Sequence, residues 1–593
     1  MREHPSSRDK LIPIGVDNFN QLLRENYVFC DKTLLIKEFM NKGDIVTLIA
    51  RPRRWGKTLN MSMLHHFLAE EAYGKKTKNL FDNLAIASVD DGEYLKHQGQ
   101  HPVIFVSFKD VKENSFSEAI QKLKLLVRIL YREHRVLLKS NKLAQDEKDI
   151  FKAYLEGNIG NTEVEDAIRY LSELLSKQHE KGVYIIIDEY DTPLNSAYGK
   201  YLEDMTNFMR NMFSAALKGN PALKRGIMTG ILRVSKDSML SGLNNLKTYT
   251  LLDDSYKQHF GFSEQEVIDL FRKKHCELKL EDVRTWYNGY KAYDLVIYNP
   301  WSIINCLAEQ GKIELYWTDS ARNNLVEDII SKSTLGIKLQ LEILMQNKTI
   351  TMQVDKHVTF DTLMESETAL WSLLLFTGYL KAESSFFDMN SGTYQCVLSV
   401  PNREVFVLYQ KYIINWFTKK LGEDGSVKYD SFLKSLVNGD VEVFTDSLSD
   451  YLLESASVFD MGGEKKGEAF YHGFSLALIV SLRENYSIHS NRESGLGRYD
   501  VLLIPKNVHT SKGVVLEFKY AKPNQDVVQV AKDALEQINE KQYITELKNH
   551  NNIKSVLKIG IAFSGKLTRS AYETTDLVTG KTDDVQLSKG TAV

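Results

Sequence analysis

The sequence predicts an α/β fold class with an N-terminal three-layer core around a parallel sheet, a helical middle and a C-terminal α+β domain. Up to about residue 255, short and continuously apolar runs alternate with amphipathic helical segments. Such runs are typical of parallel strands that helices cover on both faces. From about residue 260 the pattern becomes helical, and two strand-like runs, 499–504 and 513–520, follow near the C-terminus.

Composition excludes several classes of protein. A chain of 593 residues corresponds to about three to four domains, and its 43% apolar content excludes wholesale disorder. The net charge of −3 leaves no global basic field, so any contact with nucleic acid must use a local patch. The four cysteines lie far apart without a C-x-x-C pair, which argues against a zinc site or a disulfide framework.

The chain start, MREHPSSRDK, contains no apolar signal segment. No apolar run reaches the roughly 18–20 residues that a membrane span needs. We therefore expect a cytoplasmic protein that does not contact a membrane.

The first apolar run leads into a GKT sequence. DIVTLIA (44–50) predicts a buried strand, and TLNMSMLHHFLAE (58–70) predicts a helix. Between them, Gly56, Lys57 and Thr58 occupy the last positions of a phosphate-binding loop, in which the lysine reaches phosphates and the hydroxyl ligates Mg²⁺. Arg51 stands where the usual loop has its first glycine. From that difference alone, a nucleotide site and a chance GKT in a surface turn are equally supported.

A second stretch favours the nucleotide site. KGVYIIIDEYDTPL (181–194) predicts a buried strand that ends in two acidic residues. Asp188 is suited to holding Mg²⁺ and Glu189 to polarising a water. A strand that ends in a solvated acidic turn is the alternative. The order of the two stretches, in a chain that alternates strands and helices, favours a shared site.

A third strand, RGIMTGIL (225–232), carries a candidate phosphate sensor, Thr229. Arg233 and Lys236 are the weaker candidates for the same role. The alternative for Thr229 is the ordinary preference of threonine for strands, and the residues support both equally.

Five sequences together resemble the AAA-ATPase-like family of prokaryotic proteins over about residues 10–305. They are RPRRWGKT, IIIDEYDTPL, TGILRVSKDSMLSGLNNL, WYNGY (286–290) and YNPWS (298–302). The resemblance implies a P-loop NTPase core that binds ATP and Mg²⁺, in which arginine at position 51 is a family variant. It also implies that Lys57, Thr58, Asp188 and Glu189 have the roles given above, with Glu189 catalytic. The full set of predicted nucleotide-binding residues is Arg53, Arg54, Gly56, Lys57, Thr58, Asp188, Thr229 and Arg233.

The middle of the chain carries no chemical motif. Ser263 is a plausible N-cap for the helix SEQEVIDLFRKK (263–274). A helix at 368–380 followed by two strand-like runs is typical of a winged-helix module, and a generic helical connector is the alternative. Trp286, Tyr287 and Trp301 are interpreted as packing residues rather than as platforms for bases.

The C-terminal runs 499–504 and 513–520 predict a hairpin. Folding it about its midpoint pairs residues whose numbers sum to 1017, which places Asp500 opposite Glu517. Opposed residues share a face, Lys519 shares it too, and Phe518 points to the other face. Two carboxylates and a lysine thus converge on one side of the ribbon, and we expect them to point into an open cleft. Such a set suits a Mg²⁺ or Mn²⁺ site that activates water. The alternative is an exposed strand with alternating charges, which is common.

The neighbouring segments strengthen the hairpin signal. Helix 467–482 carries Glu468 and His472, and helix 527–544 carries Gln537 and Tyr543. Together they resemble the PD-(D/E)XK nuclease superfamily over about residues 465–575. The resemblance implies that Asp500, Glu517 and Lys519 are catalytic and that Asp500, Glu517 and Glu468 bind metal. It also implies that Gln537 and Tyr543 support the site or contact DNA. His472 is interpreted as a core histidine more readily than as a ligand.

The predicted domains are an ATPase core at 1–255, a helical lid with the winged-helix candidate at 256–420, a connector at 421–464, a nuclease-like domain at 465–575 and a tail at 576–593. The leading hypothesis is an ATP-regulated, Mg²⁺-dependent nuclease, with DNA favoured over RNA as the substrate. The alternative is an ATP-switched nucleic-acid-binding or signalling module without cleavage activity. Related ATPases often assemble, so a homo-oligomer is one open expectation.

Overall fold

The computed structural model describes residues 10–589 with internal gaps and divides into two compact units. The gaps are 232–242, 277–278, 320–334, 346, 357–365, 421–423, 455–474, 476–477, 480, 483–484, 495–496, 508–510, 523, 551 and 565–566. The N-terminal unit contains residues 1–329 and 349–405, and the C-terminal unit contains residues 330–348 and 406–593.

The described strands, in chain order, are β1 Val46–Ala50, β2 Glu71–Ala72, β3 Lys75–Lys76, β4 Val103–Ser107, β5 Val183–Asp188, β6 Leu223–Gly230, β7 Leu246–Tyr249, β8 Tyr290–Ala292, β9 Leu295–Ile297, β10 Ile350–Val354, β11 Lys381–Asp388, β12 Thr393–Ser399, β13 Tyr486–Ser494, β14 Gly497–Pro505, β15 Lys512–Tyr520, β16 Ser555–Ser564, β17 Leu567–Asp576 and β18 Gln586–Leu587.

The described α-helices, in chain order, are α1 Phe19–Arg24, α2 Leu34–Asn41, α3 Lys57–Leu68, α4 Ala85–Ser88, α5 Phe116–Glu133, α6 Gln145–Glu156, α7 Asn161–His179, α8 Thr192–Ala197, α9 Leu202–Leu217, α10 Glu264–Lys273, α11 Leu280–Tyr287, α12 Pro300–Ala308, α13 Tyr316–Asp319, α14 Leu335–Met345, α15 Glu367–Phe376, α16 Arg403–Lys420, α17 Gly425–Asn438, α18 Val441–Glu454 and α19 Val527–Glu540. None of these helices is long and apolar enough to cross a membrane.

The N-terminal unit is built on a parallel sheet with the strand order β4-β5-β6-β1-β7. Every residue of β1 and β5 is buried, as the continuously apolar runs predict. Helix α3 packs against β4, β5 and β6, while α7 and α9 pack against each other and against β5 and β6. This parallel core confirms the α/β class. It also gathers the carboxyl ends of β1, β4, β5 and β6 at one edge.

The later part of the N-terminal unit is helical with two small antiparallel sheets. Ser263 caps α10 as predicted: its hydroxyl accepts from the Glu266 amide, and the Glu266 carboxylate accepts from the Ser263 amide. Helix α15 precedes the hairpin of β11 and β12, which pairs with β10. The winged-helix interpretation of this segment stays a prediction. Tyr287 is fully buried and donates to the Glu314 carbonyl, so it is a packing residue as expected.

The C-terminal unit contains a six-stranded sheet with the order β13-β14-β15-β16-β17-β18. Its pairs are antiparallel except β15 with β16. One face packs on α17 and α18, and the other packs on α19. The predicted hairpin register is confirmed, because Val501 pairs with Leu516 and Leu502 with Val515. Strands β13, β16 and β17 were not predicted from the sequence, and α19 ends at Glu540, four residues before its predicted end.

Candidate functional sites

The phosphate-loop candidate connects the end of β1 to the start of α3. Gly56 has a φ of 77° and caps α3. A side chain at this position would have free space but an unfavourable backbone conformation, which explains the glycine. Arg54, two residues earlier, also lies in the left-handed region, with a φ of 66°. The loop therefore turns tightly enough for its amide groups to lie at the N-terminus of α3, where anions bind readily.

Arg51 is a structural residue of the sheet edge. Its amide donates to the Gly230 carbonyl over 3.1 Å, so position 51 continues the pairing of β1 with β6. The guanidinium is fully buried, and its Nη1 donates to the carbonyls of Ala50 and Tyr249 at 2.9 and 3.2 Å. It also lies 5.4 Å from the centre of the Phe260 ring. Burial lowers the Arg51 pKa to about 10. Arg51, at the position where the usual loop has its first glycine, thus links β1 to β7.

Lys57 is the buried cation of the loop. Its Nζ donates to the carbonyls of Arg51 and Pro52 at 3.1 and 2.9 Å. Burial lowers the Lys57 pKa, and the nearby charges of Glu189, Asp191 and Asp188 oppose that shift. A phosphate group bound at the loop would compete with these two carbonyls for Lys57.

Asp188 collects three hydroxyl groups at the carboxyl edge of the sheet. Thr58 Oγ1 and Ser107 Oγ donate to Oδ2 at 2.9 and 3.2 Å, and Thr229 Oγ1 donates to Oδ1 at 2.8 Å. Asp188 has no solvent exposure. Burial raises its pKa, and the hydrogen bonds from Thr229 and Thr58 partly offset the shift. A carboxylate beside hydroxyl oxygens is a donor set that suits Mg²⁺.

Ser107 was not among the predicted site residues. It is the last residue of β4 and lies opposite Asp188 in the parallel ladder. The signal was present, because carboxyl ends of neighbouring parallel strands meet at one edge. The sequence does not determine that β4 lies next to β5, and this order brings Ser107 to Asp188.

Glu189 is held beside the same edge. Its backbone lies in the left-handed region with a φ of 53°. Thr192 Oγ1 donates to its Oε2 at 2.9 Å. Burial acts to raise the Glu189 pKa, but Lys57 and the Thr192 hydrogen bond outweigh it and the net shift is downward. Glu189 is therefore a carboxylate at neutral pH and can accept a proton.

The remaining nucleotide candidates differ in position. Arg53 is exposed, and its charge contributes to lowering the Glu189 pKa. Arg54 is exposed and lies over the Trp301 ring, 4.2 Å from its centre. Arg233 and Lys236 lie outside the described residues.

The second candidate site lies where β14 and β15 part. Their ladder ends at the pair Val501 and Leu516, so Asp500 and Glu517 follow as the next opposed pair. Glu517 Oε2 accepts from the Asp500 amide at 3.3 Å, and Asp500 Oδ2 accepts from the Phe518 amide at 2.7 Å. Each carboxylate thus replaces a ladder partner for the opposite strand. The two acids are therefore neighbours. Phe518 points to the opposite face of the sheet, into the core that α17 and α18 cover, as predicted.

Helix α19 covers this pair. Gln537 Nε2 donates to Glu517 Oε1 and to the Tyr543 hydroxyl, the latter at 3.3 Å. Lys519 Nζ donates to the Asp533 carbonyl at 3.4 Å, one helical turn away from Gln537. Lys519 therefore points to the same side as Glu517. The expectation of an open cleft is wrong for Glu517, which is only 4% exposed because α19 lies over it.

The proposed third acidic ligand is not described. Glu468 and His472 lie outside the described residues. Within the described part of the chain, no group of three or more histidine, cysteine or acidic residues has a geometry that could hold a metal ion. Asp500 and Glu517 carry carboxylate oxygens, the donor type that Mg²⁺ and Mn²⁺ prefer.

Both regions are similar to known protein families. Residues 13–240 match the family model for a predicted AAA-ATPase, and residues 466–572 match the model for the PD-(D/E)XK nuclease superfamily. An "Uncharacterized protein in vnfD 5′ region" of Azotobacter chroococcum mcd 1 is 25% identical over 332 residues, which are 55% of this chain and 57% of that relative. This chain thus matches little more than half of the relative's length. A Walker-type ATPase of Pyrococcus abyssi superposes with a TM-score of 0.35 and 12% identity, over 67% of this chain and 99% of that one.

Proposed function

We propose that this chain, which joins an AAA-ATPase-like domain to a PD-(D/E)XK nuclease superfamily domain, is an ATP-regulated, Mg²⁺-dependent DNA nuclease of the cytoplasm. The observation that carries the proposal is the juxtaposition of Asp500 and Glu517 at the opened end of the β14–β15 ladder, beside Lys519. Two facing carboxylates repel each other unless a cation lies between them, so the arrangement suits a divalent ion.

The N-terminal site supplies the residues for ATP binding and hydrolysis. Lys57 would exchange its bonds to the loop carbonyls for bonds to the phosphates. Asp188 and Thr58 would hold Mg²⁺, which neutralises phosphate charge when bound. Glu189, kept ionised beside Lys57, would orient the attacking water and accept its proton. Thr229 donates a hydrogen bond to Asp188 and would hold that carboxylate in position.

The C-terminal site supplies the residues for phosphodiester cleavage. Asp500 and Glu517 would hold Mg²⁺ or Mn²⁺, whose chemistry is to lower the pKa of a bound water and to neutralise phosphate charge. Lys519 would orient the attacking water or stabilise the charge on the phosphate. Gln537 positions Glu517, and Tyr543 in turn contacts Gln537. Glu468 remains the proposed additional acidic ligand.

The direct test is cleavage by the purified full-length protein. Supercoiled plasmid, linear DNA and RNA are incubated with Mg²⁺, Mn²⁺ or EDTA, each with and without ATP. We expect DNA cleavage with Mg²⁺ or Mn²⁺ and none with EDTA. Asp500→Ala and Glu517→Ala should each abolish cleavage as fully as the double substitution, because residues that act as a unit do not contribute additively. Asp584→Ala, an exposed acid of the same unit, is the matched control and should cleave normally.

The alternative is an ATP-switched nucleic-acid-binding or signalling module without cleavage activity. One observation favours it: Glu517 is buried, and its carboxylate is already engaged by Gln537 and by the Asp500 amide. A metal ion would have to displace at least one of these bonds. Retention of nucleic acid in a binding assay, together with no cleavage under any metal, would establish this alternative and refute the nuclease.

A further inference from the structure

Four consecutive residues of the phosphate loop, 52–55, each lie beside a residue from the later part of the N-terminal unit. Trp55 is 1% exposed and meets the Tyr290 ring edge-on at 5.5 Å. The Arg54 guanidinium lies 4.2 Å from the Trp301 ring centre. These two contacts hold one half of the loop.

The other half of the loop is held as closely. Trp317 Nε1 donates to the Arg53 carbonyl at 3.4 Å. Gly378, with a φ of +89°, lies so near that a Cβ there would be 3.2 Å from Pro52 Cβ. We call Tyr290, Trp301, Trp317 and Gly378 the clamp residues.

The clamp residues are themselves tied into one block. The buried Glu404 carboxylate accepts from the Trp317 amide at 2.6 Å and from the Ser302 hydroxyl at 2.8 Å. The Trp317 ring lies edge-on to the Tyr379 ring at 5.3 Å. A displacement of the loop must therefore be transmitted to α12, α13 and the segment that follows α15, because packed interiors do not deform locally without cost.

A second route leads from the loop to the β11–β12 hairpin. Arg51 donates to the carbonyl of Tyr249. The amide of the next residue, Thr250, donates to the Asp253 carboxylate, and that carboxylate pairs with Lys356 at 3.0 Å. The Lys356 ammonium lies 4.2 Å from the centre of the Tyr394 ring, on β12. The first route includes Pro52 and the second begins at Arg51, and these are the two loop residues whose carbonyls accept from Lys57.

We propose that the phosphate loop is a coupling element, in which nucleotide phosphates compete with the Arg51 and Pro52 carbonyls for Lys57 and thereby reposition the clamp residues and the β10–β12 sheet. This inference rests on the proposed ATP binding. It identifies the regulatory output of that site as the module of α15 and β10–β12. The differential interaction is the exchange of partners by Lys57, which gives a ligand the means to shift an equilibrium. Linkage requires the reverse effect as well: a change at the clamp must alter nucleotide affinity.

Two glycines of this module provide a matched test by calorimetry on the full-length chain with the slowly hydrolysed analogue ATPγS and Mg²⁺. Gly378 and Gly392 both have positive φ, so alanine strains the backbone at each, but only at Gly378 would the new Cβ press on Pro52; at Gly392 it meets nothing within 4 Å. We expect Gly378→Ala to weaken ATPγS affinity by about fivefold or more, within the ordinary range of coupling, and Gly392→Ala to leave it unchanged. If Gly378→Ala does not fold, Trp317→Phe removes the donor to Arg53 and should weaken affinity in the same direction.

Hydrogen exchange with mass spectrometry provides the second readout. ATPγS should change exchange in peptides covering 350–354 and 381–399 in the wild type, and it should have no effect in Lys57→Ala. Binding by calorimetry with exchange changes confined to 44–60 and 183–192, or equal affinity of both glycine variants, would overturn the coupling but leave the proposed ATPase intact. Absence of any ATPγS binding would overturn both.

Discussion

Asp188 has no solvent exposure, and its carboxylate accepts from the hydroxyls of Thr58, Ser107 and Thr229. Burial favours the neutral form of such a carboxyl, while each hydroxyl that donates to it favours the charged form. The ionisation of Asp188, on which the proposed Mg²⁺ binding depends, is influenced by hydroxyls contributed by α3, β4 and β6.

Thr229→Val tests this balance at a single residue. The substitution preserves shape but removes the hydrogen bond to Asp188 Oδ1, so the already raised Asp188 pKa should rise further. The acidic limb of the pH profile for Mg²⁺-dependent ATP hydrolysis should move to higher pH. Loss of a hydrogen bond to a charged group should also lower the free energy of unfolding by about 1.5–3 kcal/mol. Steady-state ATPase assays at several pH values and urea unfolding are the measurements.

Thr248→Val is the control for that substitution. Thr248 lies on β7 of the same sheet, with β1 between β7 and β6, and among the described residues its hydroxyl has no hydrogen-bond partner. This variant should leave the pH profile unmoved. An identical profile in Thr229→Val would show that the hydroxyl of Thr229 does not influence Asp188.

At the scale of elements, α19 reaches Glu517 because one glycine lets the helix lie directly on the sheet. Gly560 of β16 pairs with Glu517 of β15. A Cβ at Gly560 would lie 2.3 Å from the Leu535 amide nitrogen and 2.4 Å from the Ala531 carbonyl oxygen, both backbone atoms of α19. Backbone atoms cannot move aside as a flexible side chain can.

We therefore predict that Gly560→Ala lifts α19 and withdraws Gln537 from Glu517. Overpacking of this kind should destabilise the C-terminal unit by about 1–3 kcal/mol. The cleavage rate should fall even at temperatures where the variant is fully folded. Urea unfolding and DNA cleavage are measured in parallel.

Gly513→Ala, in the adjacent strand β15, is the matched control. The atoms nearest to its new Cβ would belong to side chains, those of Leu547 at 3.0 Å and of Ile553 at 3.6 Å, which can move aside. Equal cleavage by the Gly560 and Gly513 variants would show that the spacing between α19 and the sheet does not set the position of Gln537.

Helix α3 carries a second dependence on pH through His65. The ring is 6% exposed and stacks on Phe105 of β4 at 5.3 Å. Burial, with smaller contributions from His66 and His134, lowers the His65 pKa to about 3. Between about pH 6.5 and pH 3 the unfolded chain binds a proton that the folded chain does not. Stability is therefore lost as pH falls through this window, by about 1.4 kcal/mol per pH unit for one group.

His65→Phe should keep the stacked ring and remove this proton. The free energy of unfolding of the N-terminal unit, from urea titrations at pH 7, 6 and 5, should decline less steeply than in the wild type by the equivalent of one proton. The same slope in both proteins would mean that His65 is protonated in the folded state.

For the whole molecule, we predict that nucleotide binding in the ATPase-like region changes cleavage by the nuclease-like region. An ATP-dependent change in cleavage must correspond to a coupling free energy, for which about 1–3 kcal/mol is ordinary. ATP should change the cleavage rate of the wild type by about 5- to 150-fold and should have no effect on Lys57→Ala, which lacks the buried cation of the loop. Cleavage kinetics with and without ATP measure it. Equal rates in all four conditions would mean that the two regions are joined without communication.

Local sequence patterns were sufficient to predict the strands and the helix that carry the two candidate sites. The β1–loop–α3 order, the strand before Asp188 and the register of β14 with β15 follow from apolar runs, a helical repeat and the symmetry of a short hairpin. These features depend on residues close together in the chain, where backbone geometry leaves few arrangements.

Contacts between distant segments were decided only by the tertiary structure. The order β4-β5-β6-β1-β7 brings Ser107 and Thr229 to Asp188, and it buries Arg51 against β7. The packing of α19 on Gly560 buries Glu517, which the sequence pattern placed in an open cleft. Periodicity specifies which face of an element is apolar, but not which element will cover it. That choice depends on the packing of all the elements together.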